Sequence, residues 1–297
     1  MKNKRLLGHL AALATVCVWG FSFVAIVTLL GDFSPSEILL FRFGLAVVAL
    51  YIIYPKPMGK TTKRQELHFA AAGLMGVTLY FLLQDSALLN TAASNVGVIV
   101  AVSPVFTMIL SWKILGDAKP TGTFFLGALL AMGGIGLVRF AGSQLELHPL
   151  GDVLALLAAL TWSVYSVITK KIGGFGFHTI QTTRRIFLYG IAFLFPVMSA
   201  SLLDLRLEQF TQPQNIASFL FLGLGASALS FVLWNFSMNQ LGPAKTSLYI
   251  YLIPLIAVTG SVLLLGETIG LWNGLGIVLA LAGLVISNRR NSQTIQK

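Results

Sequence analysis

The sequence predicts an all-α integral membrane protein in which ten transmembrane helices form two inverted five-helix repeats around a central cavity. Three observations predict this fold: an unusually apolar composition, ten apolar runs of membrane-spanning length, and residue landmarks that recur in the second half of the chain. Of the 297 residues, 56% are hydrophobic and only 10% are charged, whereas about a quarter are charged in soluble domains. With a mean hydropathy of +0.83, the chain is expected to act within a bilayer or across it.

The ten runs are identified by length, because a helix needs about 17–25 largely apolar residues to cross roughly 30 Å of hydrocarbon. The first follows the basic residues Lys2, Lys4 and Arg5, as a signal peptide would, but it is longer than the roughly 7–15 residues of a signal core and is expected to remain uncleaved. In order, the runs span residues 7–30, 36–54, 67–88, 92–115, 120–140, 150–170, 179–203, 215–238, 243–265 and 268–287.

The distribution of Lys and Arg predicts the orientation, since cytoplasmic loops hold the excess of basic residues. With the N-terminus inside, only Arg139 and Arg206 fall on the outer side. Both termini are therefore predicted to be cytoplasmic, in a multi-pass protein. The net charge of +10 is explained by this placement between apolar runs, so no nucleic-acid partner is expected.

Landmarks repeat along the chain. Trp19 and Arg42 are 23 residues apart, as are Trp162 and Arg185, and Pro254 follows Pro104 at an offset of 150. The repeats are placed at residues 1–142 and 143–297. An odd number of helices in each half makes the two halves opposite in orientation, which is the arrangement in which transporters build one central site between repeats. Duplication that merely enlarged a membrane scaffold is the alternative.

The chain resembles the EamA-type members of the drug/metabolite transporter superfamily, which are ten-helix bacterial inner-membrane exporters. The resemblance extends from about residue 7 to 287 and implies export of amino acids or related small metabolites, with the fifth and tenth helices outside a central cavity. Asp117 stands where the family usually has Glu. The resemblance rests on Trp19-Gly20, Arg42-Phe43, Ala87-Leu88, Ala92-Ala93, Ser103-Pro104, Leu115-Gly116-Asp117, Trp162, Arg185, Gly242-Pro243-Ala244, Pro254 and Leu265-Gly266-Glu267.

Candidate cavity residues lie on one face of each helix, at spacings of three and four. The faces beginning at Trp19 and Trp162 carry rings and hydroxyls, which suit an amphipathic solute or simply helix packing. Polar side chains on other helices would complete the site or bond between helices. The candidates are Trp19, Ser22, Phe23, Arg42, Tyr80, Gln84, Asp85, Asn95, Ser103, Trp162, Tyr165, Ser166, Arg185, Ser230, Trp234, Asn235 and Tyr249.

Three of these candidates are ionisable, and such groups inside membrane spans cost roughly 2.5–3.5 kcal/mol, so they usually pair or face a cavity. Arg42 or Arg185 would hold a substrate carboxylate. Asp85 would bind a substrate amine or carry a coupling proton. The structural alternative is that Arg42 and Asp85 pair with each other near the outer face.

Proline and glycine suggest two further features. Pro104 and Pro254, at matched positions, would act as gating hinges or as static kinks. The glycines of the fifth and tenth helices permit close helix approach, either within one chain or in a homodimer; they are Gly127, Gly133, Gly134, Gly136, Gly270 and Gly274.

Enzyme signatures are missing. Gly59-Lys60-Thr61 lacks the first glycine of a phosphate-binding loop, and the sequence contains neither a His-Glu-x-x-His pair nor a Gly-x-Ser-x-Gly elbow. No cofactor or metal is expected. An enzyme is not expected. The predicted function is a secondary transporter that exports a small amphipathic metabolite, with an amino acid or derivative favoured. The alternatives are an uptake permease of the same fold and a non-transporting membrane receptor or assembly protein.

Overall fold

The computed structural model describes residues 2–91, 93–140, 148–198, 207–256 and 271–289, and every element in these ranges is helical. The α-helices are α1 (Lys2–Leu30), α2 (Pro35–Ile53), α3 (Lys63–Gly73), α4 (Tyr80–Asn90), α5 (Ala93–Val100), α6 (Ser103–Leu110), α7 (Gly122–Phe140), α8 (Pro149–Gly173), α9 (Thr179–Met198), α10 (Pro213–Leu220), α11 (Ser230–Leu241), α12 (Pro243–Ser247) and α13 (Leu271–Arg289). The π-helical stretches are π1 (Leu74–Leu79), π2 (Ser111–Leu115) and π3 (Phe221–Leu229), and 3₁₀ turns cover Leu207–Thr211 and Leu248–Leu252.

Six continuous rods are long and apolar enough to cross a membrane. Three of them join several elements: α3, π1 and α4 form one rod, α10, π3 and α11 form another, and α5, α6 and π2 form a third. Apolar helices of shorter length occur in α7 and α13. The six rods are Lys4–Leu30, Pro35–Ile53, Lys63–Asn90, Asn95–Leu115, Pro149–Gly173 and Pro213–Leu241. The protein is therefore a multi-pass helical membrane protein.

Local sequence fixes several helix ends. At the start of α2 the Ser34 side chain accepts from the Glu37 backbone N–H, and the Glu37 carboxylate accepts from the Ser34 backbone N–H at 2.7 Å. This reciprocal capping satisfies donors that a helix start leaves unpaired. At the end of π2, Gly116 has φ 73°, a left-handed conformation that glycine adopts without steric strain. In the following loop, burial raises the pKa of the Asp117 carboxyl, opposed by Lys170.

Two π-helical stretches lie at matched positions of the repeat. π1 ends at Leu79 and π3 at Leu229, and both precede a polar residue of the predicted site, Tyr80 and Ser230. π-helical turns are rare and occur frequently at functional sites. In π1, a methyl group on Gly76 would overlap the ring of Tyr165 from α8. The widened backbone of π1 therefore lies directly against α8 of the second half.

The main helix contacts join the two halves. α1 packs along α11, α4 packs along α8, and α2 packs against both π3 and α9. One cluster of buried side chains includes Phe43 and Phe81 from the first half and Trp162, Phe231 and Trp234 from the second. Burial of apolar surface contributes about 25 cal/mol per Å² in soluble proteins, whereas in lipid close packing takes that role. The core of this protein is thus the interface between its halves.

α7 and α13 form a separate pair, in which glycines allow backbone contact. A methyl group on Gly134 would lie 2.5 Å from the Gly276 carbonyl oxygen, and one on Gly276 would lie 2.7 Å from the Gly134 carbonyl oxygen. Gly127 and Gly283 form the next contact of the same kind. By contrast, the predicted glycines Gly133, Gly136 and Gly274 face open space, and Gly270 lies outside the described residues. The close approach is made within one chain.

Gly134→Ala and Gly133→Ala are expected to change stability in opposite directions. At Gly134 the added methyl group overlaps α13, and overpacking of this kind typically costs about 1–3 kcal/mol. At the adjacent Gly133 nothing lies within 4 Å, and alanine is the better helix former by up to about 1 kcal/mol. Thermal unfolding in detergent would measure both variants. Equal melting temperatures for the two variants would contradict the α7–α13 contact.

Candidate functional site

A central cavity lies between α1, α2, α4 and α5 on one side and α8 with residues 250–254 on the other. The space open to the centre of a water molecule is about 60 Å³. Its wall is mostly apolar and aromatic, with a few polar groups. The lining residues are Trp19, Ser22, Phe23, Ile26, Arg42, Tyr80, Phe81, Gln84, Gly97, Val100, Ala101, Trp162, Ile250, Ile253 and Pro254.

Aromatic rings form one wall of the central cavity. Trp19 meets Trp162 edge to face with ring centroids 5.3 Å apart, and Tyr80 lies 4.8 Å from Trp162. Behind them, Trp234 lies 5.0 Å from Trp19. The indole N–H of Trp19 donates to the Ala226 carbonyl oxygen at 2.9 Å, which fixes its ring. The predicted faces beginning at Trp19 and Trp162 therefore meet in space.

Arg42 is the charged group of the cavity wall. Its side chain is 1% exposed, and its Nε donates to Ser227 Oγ at 3.0 Å. The guanidinium carbon lies 4.4 Å from the centre of the Phe81 ring and 5.1 Å from that of Phe43, distances at which a cation is attracted to a ring face. Its Nη1 has no hydrogen-bond partner among the described residues.

Asp85 is fully buried but does not line the central cavity. Gln84 Nε2 donates to its Oδ1 at 3.4 Å, and its Oδ2 finds no partner in the described part of the chain. Asp85 is near enough to Arg42 to interact electrostatically. However, the ion pair formed within the described ranges joins Arg185 and Glu66, not these two residues. The direct pairing of Arg42 with Asp85 considered from the sequence is therefore not present.

The second half carries a neutral network where the first carries Asp85. Asn235, at the repeat position of Asp85, accepts from the Tyr165 hydroxyl at 2.7 Å and donates to Thr183 Oγ1 at 3.0 Å. All three side chains are buried. This network lies outside the cavity lining and links α8, α9 and α11. Tyr165 and Asn235 therefore bind helices together, as the packing alternative predicted.

Arg185 also lies outside the cavity lining, unlike its repeat partner Arg42. Its Nη2 donates to Glu66 Oε1 at 2.8 Å and its Nε to Oε2 at 3.1 Å, and the Tyr189 hydroxyl donates to the same carboxylate. The adjacent Arg184 donates to the carbonyl oxygens of Tyr54 and Lys56. These contacts join the start of α9 to α3 and to the loop before it. Arg185 is placed in a structural cluster because Glu66 offers it a partner.

Several predicted polar residues bond within or between helices. Ser22 lines the cavity but donates to the Trp19 carbonyl oxygen at 2.8 Å. The other bonds are from Ser166 to the Trp162 carbonyl oxygen, from Ser230 to the Gly225 carbonyl oxygen, from Asn95 to Thr91 Oγ1, between Tyr249 and His9, and from Ser163 to the Ser103 carbonyl oxygen. Six predicted site residues are not among the lining residues: Asn95, Ser103, Ser166, Ser230, Trp234 and Tyr249.

The two predicted hinge prolines mark irregular helix geometry. The fourth rod contains a turn at residues 101–102, between α5 and α6, and Pro104 is the second residue of α6. Pro254 lines the cavity just after the 3₁₀ turn Leu248–Leu252. A proline supplies no backbone N–H and so interrupts the helical ladder. Ala101 and Pro254, next to these irregular stretches, line the cavity. Motion at either proline stays a prediction.

Sequence reasoning missed six lining residues, all apolar. A seventh apolar lining residue, Ile26, was on the predicted face that begins at Trp19. Gly97, Val100 and Ala101 share the spacing of one helix face, and their small size makes room for the cavity. Phe81, Ile250 and Ile253 complete the set. Apolar residues in a membrane helix give no signal that separates a cavity wall from a packing face.

Comparison with protein families identifies both halves of the chain. The model of the EamA-like transporter family matches residues 6–140 and 149–289. A solved crystal structure superposes on the whole of this chain and covers 100% of its own chain, with a TM-score of 0.76 at 16% identity. That likeness concerns the fold.

Individual relatives are similar along almost their whole length. An uncharacterized transporter of Archaeoglobus fulgidus is 26% identical and covers 96% of this chain and 98% of its own. A protein of Streptantibioticus cattleyicolor named a probable terminal-alkyne amino-acid exporter is 27% identical, over 94% of this chain and 93% of its own. An uncharacterized transporter of Bacillus subtilis is 26% identical, with 87% and 86% covered.

Proposed function

We propose, from the premise that this chain belongs to the EamA-like transporter family, that it exports a small amphipathic metabolite by alternating access at the central cavity. The substrate we favour is an amino acid or a derivative of one. The observation that carries the proposal is the cavity itself, because Trp19 and Tyr80 from the first half and Trp162 from the second enclose one space. A site between two halves can open to either side when the halves rock against each other.

The architecture that we propose is ten membrane crossings in two inverted five-helix halves, residues 1–142 and 143–297. The helix contacts support it, since α1 packs along α11 as α8 packs along α4, which are equivalent pairs if the halves are related by a twofold axis. The matched ends of π1 and π3 support it also. The repeat junction and the Leu265-Gly266-Glu267 landmark lie outside the described residues.

The substrate class follows from the chemistry of the wall. Aromatic rings favour a solute with an apolar body, and a buried guanidinium favours a solute with a polar or charged end. One relative is named as an exporter of an amino acid, which agrees with this chemistry. We place the protein in the bacterial inner membrane with both termini cytoplasmic, because the basic residues gather on that side.

Two other functions remain as alternatives. An uptake permease would use the same cavity, because inverted symmetry does not fix the direction of net transport. A receptor or assembly protein that transports nothing would need no enclosed polar site between its halves. The unpartnered Arg42 Nη1 in the cavity wall favours a solute-binding protein over such a scaffold.

The test of the proposed function is counterflow in proteoliposomes. Vesicles loaded with one unlabelled amino acid at a time would be diluted into the same labelled amino acid, and entry of the label would be followed. We expect saturable entry that depends on the solute inside. Absence of counterflow with every amino acid and derivative in a broad panel, from protein shown to be folded, would contradict the proposal.

A further inference from the structure

Two buried donors in the cavity wall lack acceptors. Arg42 is 1% exposed and Trp162 is 3% exposed. Arg42 Nη1 and Trp162 Nε1 have no hydrogen-bond partner among the described residues, although Arg42 Nε is bound to Ser227. A buried donor left unpaired is destabilising, more so when it is charged. The arrangement therefore suits a protein in which a solute that enters the cavity supplies the missing hydrogen-bond acceptors.

The described lining residues include no carboxylate. The Ser22 hydroxyl is bound to its own helix, Tyr80 and Gln84 contribute neutral polar groups, and Asp85 is buried beside the cavity without lining it. The charged group among the described lining residues is therefore the Arg42 guanidinium. This polarity matches an anionic acceptor, because hydrogen bonds from a guanidinium to a carboxylate are among the strongest in proteins.

Ring packing holds both donors in place. The Arg42 guanidinium lies over Phe81, and the Trp162 indole is held between Trp19 and Tyr80. Planar groups fixed in this way lose little conformational freedom when a ligand binds. The apolar side of the cavity is formed by small or aliphatic residues such as Ile26, Val100 and Ala101. This apolar side of the cavity suits a short aliphatic body.

We propose that the central cavity recognises the carboxylate of its solute, through Arg42 Nη1 and Trp162 Nε1, and does not require the solute to carry an ammonium group. This inference rests on the proposed function and narrows it: the solutes are short-chain carboxylates with an apolar body, of which neutral amino acids are one kind. Amines and amides of the same shape are excluded because they offer no anionic acceptor.

The experiment uses four probes that share a branched aliphatic body: valine, 3-methylbutanoate, valinamide and 2-methylpropylamine. Binding to the purified full chain in detergent is followed by intrinsic tryptophan fluorescence, since Trp19 and Trp162 line the cavity. We expect valine and 3-methylbutanoate to bind saturably, and the two probes without a carboxylate to bind at least tenfold more weakly. Equal affinity for valine and valinamide would overturn the inference, as would binding of none of the four by folded protein.

Variants then test the assignment to Arg42. Arg42→Gln is expected to weaken valine and 3-methylbutanoate binding at least tenfold, and Arg42→Lys to weaken it less, because lysine keeps the charge without the planar fork. The control Lys113→Gln removes a positive charge from an exposed side chain outside the cavity and should leave binding unchanged. Wild-type affinity in a folded Arg42→Gln protein would overturn the inference.

Counterflow distinguishes this inference from the proposed function. If the carboxylate probes bind in the expected order but no solute gives counterflow, the proposed transport fails and the binding inference stands. If valine counterflow is saturable and Arg42→Gln leaves its half-saturating concentration unchanged, transport stands and the inference is overturned. The four-probe comparison on the wild-type chain needs no variant to fold, so it decides the inference even if Arg42→Gln is unstable.

Discussion

Replacing Trp19 by alanine is expected to lower saturable counterflow at least tenfold. The Trp19 ring is an edge-to-face partner of Trp162 and contacts Trp234, and its N–H is bound to the Ala226 carbonyl oxygen. Removing it opens a cavity wall that both halves share, so the solute would lose its contact with the rings. Counterflow of the best solute in the panel would measure the effect.

Stability must be separated from transport in this test, because a buried Trp→Ala change typically costs about 3–5 kcal/mol. Trp19→Phe keeps a ring and is expected to retain part of the activity. Trp272→Ala is the matched control, since Trp272 is 59% exposed on α13 and lies outside the cavity lining. Full counterflow in folded Trp19→Ala protein would contradict the placement of the site.

Asp85→Asn is expected to abolish proton-driven accumulation while leaving exchange intact. Asp85 is buried, its Oδ2 has no partner among the described residues, and it interacts electrostatically with Arg42, so it is the carboxylate that we propose to carry a coupling proton. Asparagine is close in shape, and the second half already has Asn235 at this repeat position. Because a side-chain amide does not take up and release a proton at the pH of the assay, only the step that couples proton movement to transport should fail.

The measurement for Asp85 is accumulation in proteoliposomes under an imposed pH difference, with counterflow at equal pH as the control. We expect accumulation to fall at least tenfold and counterflow to stay within about twofold of the wild-type rate. Accumulation at the wild-type level in Asp85→Asn would remove Asp85 as the coupling group. Loss of both activities would assign Asp85 to the binding or folding of the site instead.

Much of the cavity could be predicted from sequence because its aromatic and charged members stand out in an apolar chain. Trp19, Arg42, Tyr80, Gln84 and Trp162 were all predicted, and all line the cavity. Their rings and charges are rare within apolar runs, and helix spacing placed them on common faces. The helical rods were predicted for a similar reason, since the length of an apolar run closely limits the length of the helix.

The match between the two repeats did not predict the surroundings of equivalent residues. Arg42 and Arg185 occupy equivalent positions, yet Arg42 lies in the cavity wall beside Ser227, while Arg185 is bound to Glu66. The difference depends on which partner residue the other half offers, and the offset between repeats carries no information about that. Asp85 differs from Asn235 in the same way, because a hydroxyl from Tyr165 reaches only the latter.

The sequence pattern did not predict the π-helical stretches either. π1 and π3 were predicted as ordinary helix because their apolar residues have no period that separates the two geometries. Their position depends on close contact between halves, as at Gly76 and Tyr165. Tertiary contacts of this kind are not readable from one helix alone, which is why the matched π stretches became visible only in three dimensions.

Alternating access requires that the cavity opens to the two sides of the membrane in turn, and thiol accessibility tests this most directly. The sequence contains one cysteine, so Cys17→Ser gives a background in which Ser22→Cys, in the cavity wall, is the single thiol. Val24→Cys is the control, because Val24 is 71% exposed on the same helix and lies outside the lining; in a bilayer we expect its side chain to meet lipid. A membrane-impermeant thiol reagent would be applied to right-side-out and inside-out vesicles.

We expect Ser22→Cys to react from both sides, with transported solute slowing the reaction from each, and Val24→Cys to react from neither. Reaction of Ser22→Cys from one side only, or from neither side, with and without solute, would contradict alternating access at this cavity.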